Sequence, residues 1–323
     1  MLNDDFYELL RLSTNKRLFS VENYIKDRLE CIRNSQSFEN CCGHIAVRFK
    51  YAAILNDNNF VTYIGGTPVC TQYPEYEHYT KVTRAFGSAI TLKDHGTLFV
   101  IAPFRVQEEL SCIKQVKNAV DIQGSLYHLV ILKSDGTVEC IDRLDSFEGD
   151  EGFADLVSDW SDIRQIQCGN HVVVGVKSDG SLISVGKDYR CPEWTDIKEI
   201  SVCQYENRFR KKTGEFFTMA LLNDGSVVSD FNPVVSEWKD VVHVSAGGRG
   251  NAVGLKKDGT AYAIGHHEFI KTVESWQGIV DIECYCDKVV AILANGDVVT
   301  NYGFLPNSGV IHPKDRKPIQ DQH

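Results

Sequence analysis

Every tryptophan in the chain opens the same four-residue phrase: Trp160-Ser-Asp-Ile, Trp194-Thr-Asp-Ile, Trp238-Lys-Asp-Val and Trp276-Gln-Gly-Ile. The four lie 34, 44 and 38 residues apart, and each is followed by an apolar run and a tight-turn dipeptide: Asp179-Gly180, Asp224-Gly225, Asp258-Gly259 or Asn295-Gly296. Self-similarity with a period of about 40 residues marks an array of one supersecondary unit.

Seven hairpins can be laid out from residue 38 onward. The clearest is Leu129–Ile141, with copies at Val172–Val185, Thr218–Val228, Ala252–Ile264 and Val289–Thr300 and weaker ones at Ala53–Thr62 and Ala89–Phe99. Asp-Gly and Asn-Gly between alternating apolar residues suit a type I′ turn, which takes positive φ at both central positions. A further strand precedes each hairpin, as in Ile163–Cys168, Ile197–Val202 and Val241–Ala246. Short strands at this cadence, with almost no helical pattern between them, predict an all-β array. Radial closure removes most free sheet edges, so the expected fold is a seven-bladed β-propeller over residues 38–305. A β-sandwich would not return tryptophan at one offset in four consecutive units.

The first 37 residues follow another rule. Asp4 or Asp5 can start a short helix through Leu12, Ser20 can cap a second, and Val21, Ile25, Leu29 and Ile32 recur at helical spacing. They predict a short α-helical N-terminal extension that covers the terminal repeat. Residues 306–323, with Pro313-Lys-Asp-Arg-Lys-Pro318, are expected to form a flexible tail.

Across 323 residues the formal net charge is −10 and the pI near 5.5. That balance argues against non-specific binding to nucleic acid or an anionic membrane. No stretch reaches the roughly 18 apolar residues of a membrane span, and the start, MLNDDFYELLRL, has acids where a secretory signal has bases. The 11 cysteines are odd in number, no Asn-X-Ser/Thr sequon occurs, and cysteine keeps no fixed offset in the repeats. Reduced, buried cysteine in a cytoplasmic chain fits that pattern better than a secreted disulfide scaffold.

Function is expected where the repeats differ. In the fifth unit, Gln204–Glu215 stretches the Trp-to-hairpin-Gly spacing to 31 residues, against 20 or 21 elsewhere. It concentrates Arg208, Arg210, Lys211 and Lys212, with Tyr205 and Phe209 interleaved. A second excess segment, Leu144–Asp159, carries six acids, among them Glu148, Asp150 and Glu151, together with Phe147 and Phe153. Connectivity places both on the side opposite the Asp-Gly turns. There they either pair with each other or form a charged partner-binding rim with Phe147, Phe153 and Phe209 as apolar anchors.

Catalytic patterns are missing: there is no Gly-x-Ser-x-Gly elbow, His-Glu-x-x-His helix or Gly-x-x-x-x-Gly-Lys loop. The glycine-rich Gly247-Gly-Arg-Gly250 precedes no predicted helix and reads as a strand-to-strand turn. Dense ligand-type clusters are confined to Cys284/Cys286, Cys41-Cys42 and His266-His267. Cys284 and Cys286, at i and i+2 of a strand, share a face, but no second matched pair accompanies them. Asp162, Asp196 and Asp240 recur with the structure and read as turn or capping devices.

The phrase Trp-Thr-Asp-Ile, a Gly/Ala-rich turn, Val-Gly-Leu-Lys-x-Asp-Gly-Thr and a closing Gly resembles the repeat of the regulator of chromosome condensation (RCC) superfamily, most clearly over Trp238–Gly265. The resemblance is good over 115–304 and weaker over 38–110. The short repeats look more like bacterial relatives than like the namesake, a seven-bladed propeller that exchanges guanine nucleotide on a small GTPase and docks on nucleosomes. The family histidine before the hairpin is kept at His128, while Val172, Phe217, Asn251 and Lys288 stand at the corresponding places. What the resemblance implies is the architecture and the habit of binding proteins. The expectation is a monomeric, non-enzymatic scaffold for a protein partner that needs no cofactor, with nucleotide exchange on a GTPase as the alternative.

Overall fold

The structure, a computed structural model, describes residues 79–301 apart from 87, 94, 102–106, 126, 143–151, 187–188, 190–191, 206–214 and 249, together with 29, 45–48, 51–55, 61–64 and 310–311. The strands form small antiparallel sheets, each built from strands consecutive in sequence. The first joins β1 (Ile45–Arg48), β2 (Tyr51–Leu55) and β3 (Val61–Ile64). The second joins β4 (Tyr79–Ala85), β5 (Ser88–Lys93) and β6 (Leu98–Ile101), the third β7 (Ala119–Gly124), β8 (His128–Lys133) and β9 (Val138–Asp142). Next come β10 (Ile163–Cys168), β11 (Val172–Lys177) and β12 (Leu182–Gly186), then β13 (Ile197–Tyr205), β14 (Glu215–Leu222) and β15 (Val227–Ser229). The last two sheets hold β16 (Val241–Gly248), β17 (Asn251–Lys256) and β18 (Ala261–Ile264), and β19 (Ile279–Tyr285), β20 (Lys288–Leu293), β21 (Val298–Thr300) and β22 (Val310–Ile311). The chain divides into two compact units, one spanning Thr80–Glu237 and the other combining Met1–Tyr79 with Trp238–His323.

Each predicted hairpin is present as the second and third strands of a sheet. The turn type is not the expected one. In the five fully described turns, at Gly136, Gly180, Gly225, Gly259 and Gly296, the glycine alone takes positive φ, 80° at Gly136 and 81° at Gly180, whereas type I′ needs two such residues. Gly136 N–H donates to the Lys133 carbonyl at 3.0 Å and Lys133 N–H to the Thr137 carbonyl at 2.9 Å, a type I turn followed by a glycine bulge. The aspartate supplies the reason. Asp135 Oδ1 accepts from Thr137 N–H at 3.0 Å and from its hydroxyl at 2.7 Å, and Asp179, Asp224 and Asp258 do the same for Ser181, Ser226 and Thr260. Those side-chain bonds hold the Asp135, Asp179 and Asp258 carboxyls below the usual range.

The two recurring sequence phrases meet in one joint. Asn118, Asp162, Asp196, Asp240 and Gly278 all adopt left-handed φ, between 56° and 68°, and their carbonyls accept from Ser134, Ser178, Asn223, Lys257 and Ala294 within their own sheets. The next amide reaches back to the preceding sheet: Ala119, Ile163 and Ile197 donate to the carbonyls of Gly96, Gly136 and Gly180, and Ile279 to that of Gly259. Asn, Asp and Gly recur because left-handed backbone selects them.

A register shift follows the first residue of each of these first strands, at Ala119/Asp121, Ile163/Gln165, Ile197/Glu199, Val241/His243 and Ile279/Asp281. The bulge aims a polar residue toward the next sheet. Gln165 exchanges two hydrogen bonds with the Ile200 backbone at 3.0 and 3.3 Å, and His243 Nε2 lies 2.9 Å from the Ile282 carbonyl; Asp121 instead pairs back to Lys81 of the preceding sheet.

Short helices, absent from the sequence expectation, precede the tryptophan positions. They cover Gln107–Gln115, Ala154–Val157 and His267–Glu274, with a 3-10 turn at Pro233–Glu237. A buried aliphatic residue stands three positions before the tryptophan: Val157, Val235 and Val273, with Ile113 before Val116 in the sheet that lacks the indole. Trp160, Trp276 and Val116 donate to the carbonyls of Val157, Val273 and Ile113, ending each helix.

The ring then packs over the second strand. At the residue paired with the central aliphatic of the first strand, the chain has Gly175, Ala220, Gly254 or Ala291 wherever tryptophan is present, and Ile131 where Val116 replaces it. Trp194 packs with Ala220, Trp276 with Ala291 and Val116 with Ile131 in clusters that fill the space between successive sheets. Large opposite small keeps the packed volume constant.

Of the predicted helical extension, Leu29 alone is described; it is helical and exposed. In the predicted flexible tail, Val310–Ile311 instead adds a fourth strand along β21, covering that sheet edge.

Candidate functional site

Two series of hydrogen bonds show that the sheets of the Thr80–Glu237 unit point the same way. At the turn end run the glycine-carbonyl joints already described. At the other end, His128 Nε2 lies 2.8 Å from the Asn170 carbonyl of the next sheet, and the Tyr189 hydroxyl 2.8 Å from that of Thr218 in the sheet after it. β9 ends at this second end with Asp142, and β13 and β14 meet there at Tyr205 and Glu215; residues 143–151 and 206–214 lie outside the described residues.

The described residues that flank both stretches are built firmly into their sheets. β10 and β11 stop at Cys168↔Val173, whereas β13 and β14 continue three pairs past the counterpart Val202↔Thr218, through Cys203↔Phe217 and Gln204↔Phe216 to Tyr205↔Glu215. The basic segment is therefore carried on a lengthened ribbon. Tyr189 braces it, with its ring 5.0 Å from that of Phe216. Thr218 N–H donates to Asp230 Oδ1 at 2.7 Å, closing the base from the β15 side.

The acidic segment begins at Asp142. One carboxylate oxygen is 2.7 Å from His128 Nδ1 and the other accepts the Ala154 amide at 2.9 Å. Burial acts to raise the Asp142 pKa, but the bonds from His128 and the Ala154 and Phe153 amides outweigh it, so the carboxyl sits below its ordinary value. The Phe153 ring lies 4.5 Å from the His128 ring.

Nine of the ten residues expected on the rim, Arg208, Phe209, Arg210, Lys211, Lys212, Phe147, Glu148, Asp150 and Glu151, lie outside the described residues. The tenth is corrected. Phe153, expected as an exposed anchor, is 5 % exposed and packs with Val157, Trp160 and Ile166 in the core between two sheets. Its ring is held inward by the helix Ala154–Val157, whose first amide bonds Asp142 Oδ2 at 2.9 Å. The exposed apolar residue of that helix is Leu156.

Cys284 and Cys286 do not share a strand face either. β19 ends at Tyr285, and Cys286 takes φ 55° while its amide bonds the Gly247 carbonyl. The described cysteines are free thiols, and all but Cys112 are buried. The gathering of metal-ligand side chains among the described residues is elsewhere, at His128, Cys140 and Asp142. Their spacing in sequence, one residue before a hairpin and two at its end, matches no linear motif. The signal was the registry itself, which pairs His128 with Asp142 across β8 and β9.

Asp230 offers a test of the ribbon's base. Burial raises its pKa, opposed by the hydrogen bonds from Thr218. A raised folded-state pKa means that the group's contribution is fully present below the ordinary carboxylate value and lost as pH rises through the folded one. The acceptor matters and the charge does not: in the last sheet Asn301 Oδ1 takes the equivalent Val289 amide at 2.9 Å. Asp230→Asn should change stability at pH 7 by less than about 0.5 kcal/mol, and Asp230→Ala should cost about 0.5–1.5 kcal/mol. Urea titrations of both variants check this; equal losses would place the effect in the charge.

No protein-family model matches the chain, and neither does any curated protein. Solved structures do. The CRINKLY WD40 ectodomain of the Arabidopsis thaliana receptor kinase ACR4 superposes with a TM-score of 0.55 at 14 % identity, over 82 % of this chain and 97 % of that one. Prp20p from Saccharomyces cerevisiae gives 0.53 at 14 % identity, over 75 % and 80 %. The ectodomain of the Physcomitrella patens receptor kinase CR4 gives 0.52 at 14 %, over 77 % and 70 %. At such identity the likeness is one of fold: many small antiparallel sheets in sequence order, few helices, as in the β-propellers.

Proposed function

We propose that the chain is a seven-bladed RCC-like propeller that acts as a non-enzymatic scaffold, binding a protein partner through the sheet ends that carry residues 143–151 and 206–214. What supports this reading is that the strand ends flanking a strongly acidic and a strongly basic stretch of sequence, Asp142 on one side and Tyr205 and Glu215 on the other, lie at the same end of one compact unit. Rigid sheets with irregular connections at one end are where recognition residues concentrate. Among the fold neighbours, Prp20p has binding properties toward Gsp1p and histones, so the scaffold is suited to proteins as ligands. Arg208, Arg210, Lys211 and Lys212, with Phe209, would meet an acidic partner surface. Phe147, Glu148, Asp150 and Glu151 would set its register.

The test is binding by the full chain, by a variant with 206–214 replaced by a two-residue turn, and by a variant with the four basic residues changed to glutamate. Wild type should retain a partner whose association rate falls with ionic strength, and both variants should lose at least about tenfold in affinity while melting as wild type does. Full binding by both variants overturns the assignment. If the partner is a small GTPase, release of labelled guanine nucleotide that depends on 206–214 favours the exchange alternative, and binding without release favours the scaffold.

A further inference from the structure

The junction of β8 and β9 holds a cluster that partner binding does not use. One ligand atom each from His128, Cys140 and Asp142 lies within 4.8 Å of the others. His128 Nε2 faces the Asn170 carbonyl at 2.8 Å, and a carbonyl only accepts, so that nitrogen carries hydrogen. The other ring nitrogen, Nδ1, is then aimed at Asp142 Oδ1 at 2.7 Å. A nitrogen lone pair and a carboxylate oxygen at that distance require a cation between them, either a proton or a metal ion. Cys140 Sγ points at the same oxygen from 3.3 Å, delivering a second hydrogen to one spot. Two protons directed at a single point are the charge equivalent of one divalent ion.

We propose that His128 Nδ1, Cys140 Sγ and the Asp142 carboxylate bind a thiophilic divalent ion, zinc above all, with water at the fourth position. Binding is a balanced exchange: one M²⁺ enters, and the Cys140 thiol proton and the proton between His128 and Asp142 leave to solvent. The mixed N, S and O donor set selects zinc over magnesium or calcium, which take oxygen ligands. Both outer contacts are those that orient metal ligands: the far ring nitrogen of His128 donates to a backbone carbonyl, and the far oxygen of Asp142 accepts the Ala154 amide at 2.9 Å. Tetrahedral zinc with bonds of about 2.0 Å to N and O and about 2.3 Å to S separates its ligands by about 3.3–3.6 Å. To reach this the N···O pair must open by about half an ångström and the widest pair, up to 4.8 Å apart, must close by about 1 Å. Asp142, with its side chain 19 % exposed at the end of β9, is the ligand free to move and the route of entry. On the far side Phe153 closes the site. The ion would fasten the foot of the acidic segment to the sheet, whatever partner that segment meets.

Full-length protein stripped with a chelator is titrated with Co²⁺ and then Zn²⁺. The expected result is one ion per chain, a thiolate-to-cobalt charge-transfer band with intense four-coordinate visible bands, and displacement of both by zinc. Cys140→Ser should abolish the charge-transfer band and weaken zinc binding by at least about 100-fold. Cys284→Ser, a buried thiol in another sheet, should leave the band unchanged. His128→Gln, whose amide can still reach the Asn170 carbonyl, should stay folded by circular dichroism and weaken zinc equally. The proposal is overturned by a folded protein that gives no thiolate–cobalt band, or by a band that survives Cys140→Ser. If Cys140→Ser does not fold, X-ray absorption at the zinc edge of the wild type decides: one sulfur with nitrogen and oxygen supports the site, and two or more sulfurs or none refute it.

Discussion

Trp238→Ala is expected to lower the unfolding free energy by about 3–5 kcal/mol, and Gly254→Ala by about 1–3 kcal/mol. Trp238 is 5 % exposed and stacks on Tyr262 with ring centres 5.3 Å apart and planes 12° from parallel. Truncation removes that contact and leaves a ring-sized void over β17. The glycine substitution fails from the opposite side: a Cβ at 254 would stand 2.6 Å from two ring carbons of Trp238, inside contact distance. The indole is held by Tyr262, so the strain cannot be relieved by turning the ring. Because both changes act on one volume, they will not be additive. Gly254→Ala should cost less in a Trp238→Phe background, with a coupling of about 0.5–3 kcal/mol. Urea unfolding followed by circular dichroism measures the four corners of the cycle. Additive costs would mean that ring and glycine do not compete for the same space.

The same pair explains what was legible in the sequence. Tryptophan before the first strand and a Gly or Ala on the second are two halves of one packing contact, and they recur together in the four sheets that carry tryptophan; the hairpin pattern located the other three. Strand positions followed, because alternating aliphatic residues around an Asp-Gly turn pair in one register. The turn type did not follow. Asp-Gly serves type I′ and type I plus bulge alike, and the choice rests on whether the aspartate bonds residue i+2, as Asp135 does with Thr137. The helices were hidden by brevity: in His267–Glu274 the apolar signature reduces to Phe269 and Val273. Composition identified the two charged segments but not that the Phe153 ring is buried. Phe153 sits beside acids in sequence and beside His128 in space, and only the fold over Asp142 decides between them. His128, Cys140 and Asp142 were invisible as a group, since their proximity is made by the β8–β9 pairing rather than by spacing.

Gly96→Ala and Gly225→Ala separate the two roles of the turn glycine. Both residues have left-handed backbone, with φ of 78° and 84°. Alanine pays the same conformational penalty at each, about 1–2 kcal/mol. Their surroundings differ. A Cβ on Gly96 would lie 2.9 Å from the Ala119 nitrogen and 3.0 Å from its oxygen, atoms of the neighbouring sheet's backbone, whereas one on Gly225 meets nothing within 4 Å. The Ala119 amide donates to the Gly96 carbonyl at 3.0 Å, so relief of the clash must stretch the bond that joins the two sheets. Gly225→Ala should therefore cost about 1–2 kcal/mol, and Gly96→Ala roughly 2 kcal/mol more, from overpacking against backbone that cannot rotate away. Thermal unfolding of the two variants gives the comparison. A ranking with Gly96→Ala well below Gly225→Ala means that the glycine serves sheet-to-sheet contact as well as the turn. Equal losses would confine it to the turn, and the recurrence of Asp-Gly would then say nothing about how neighbouring sheets are joined.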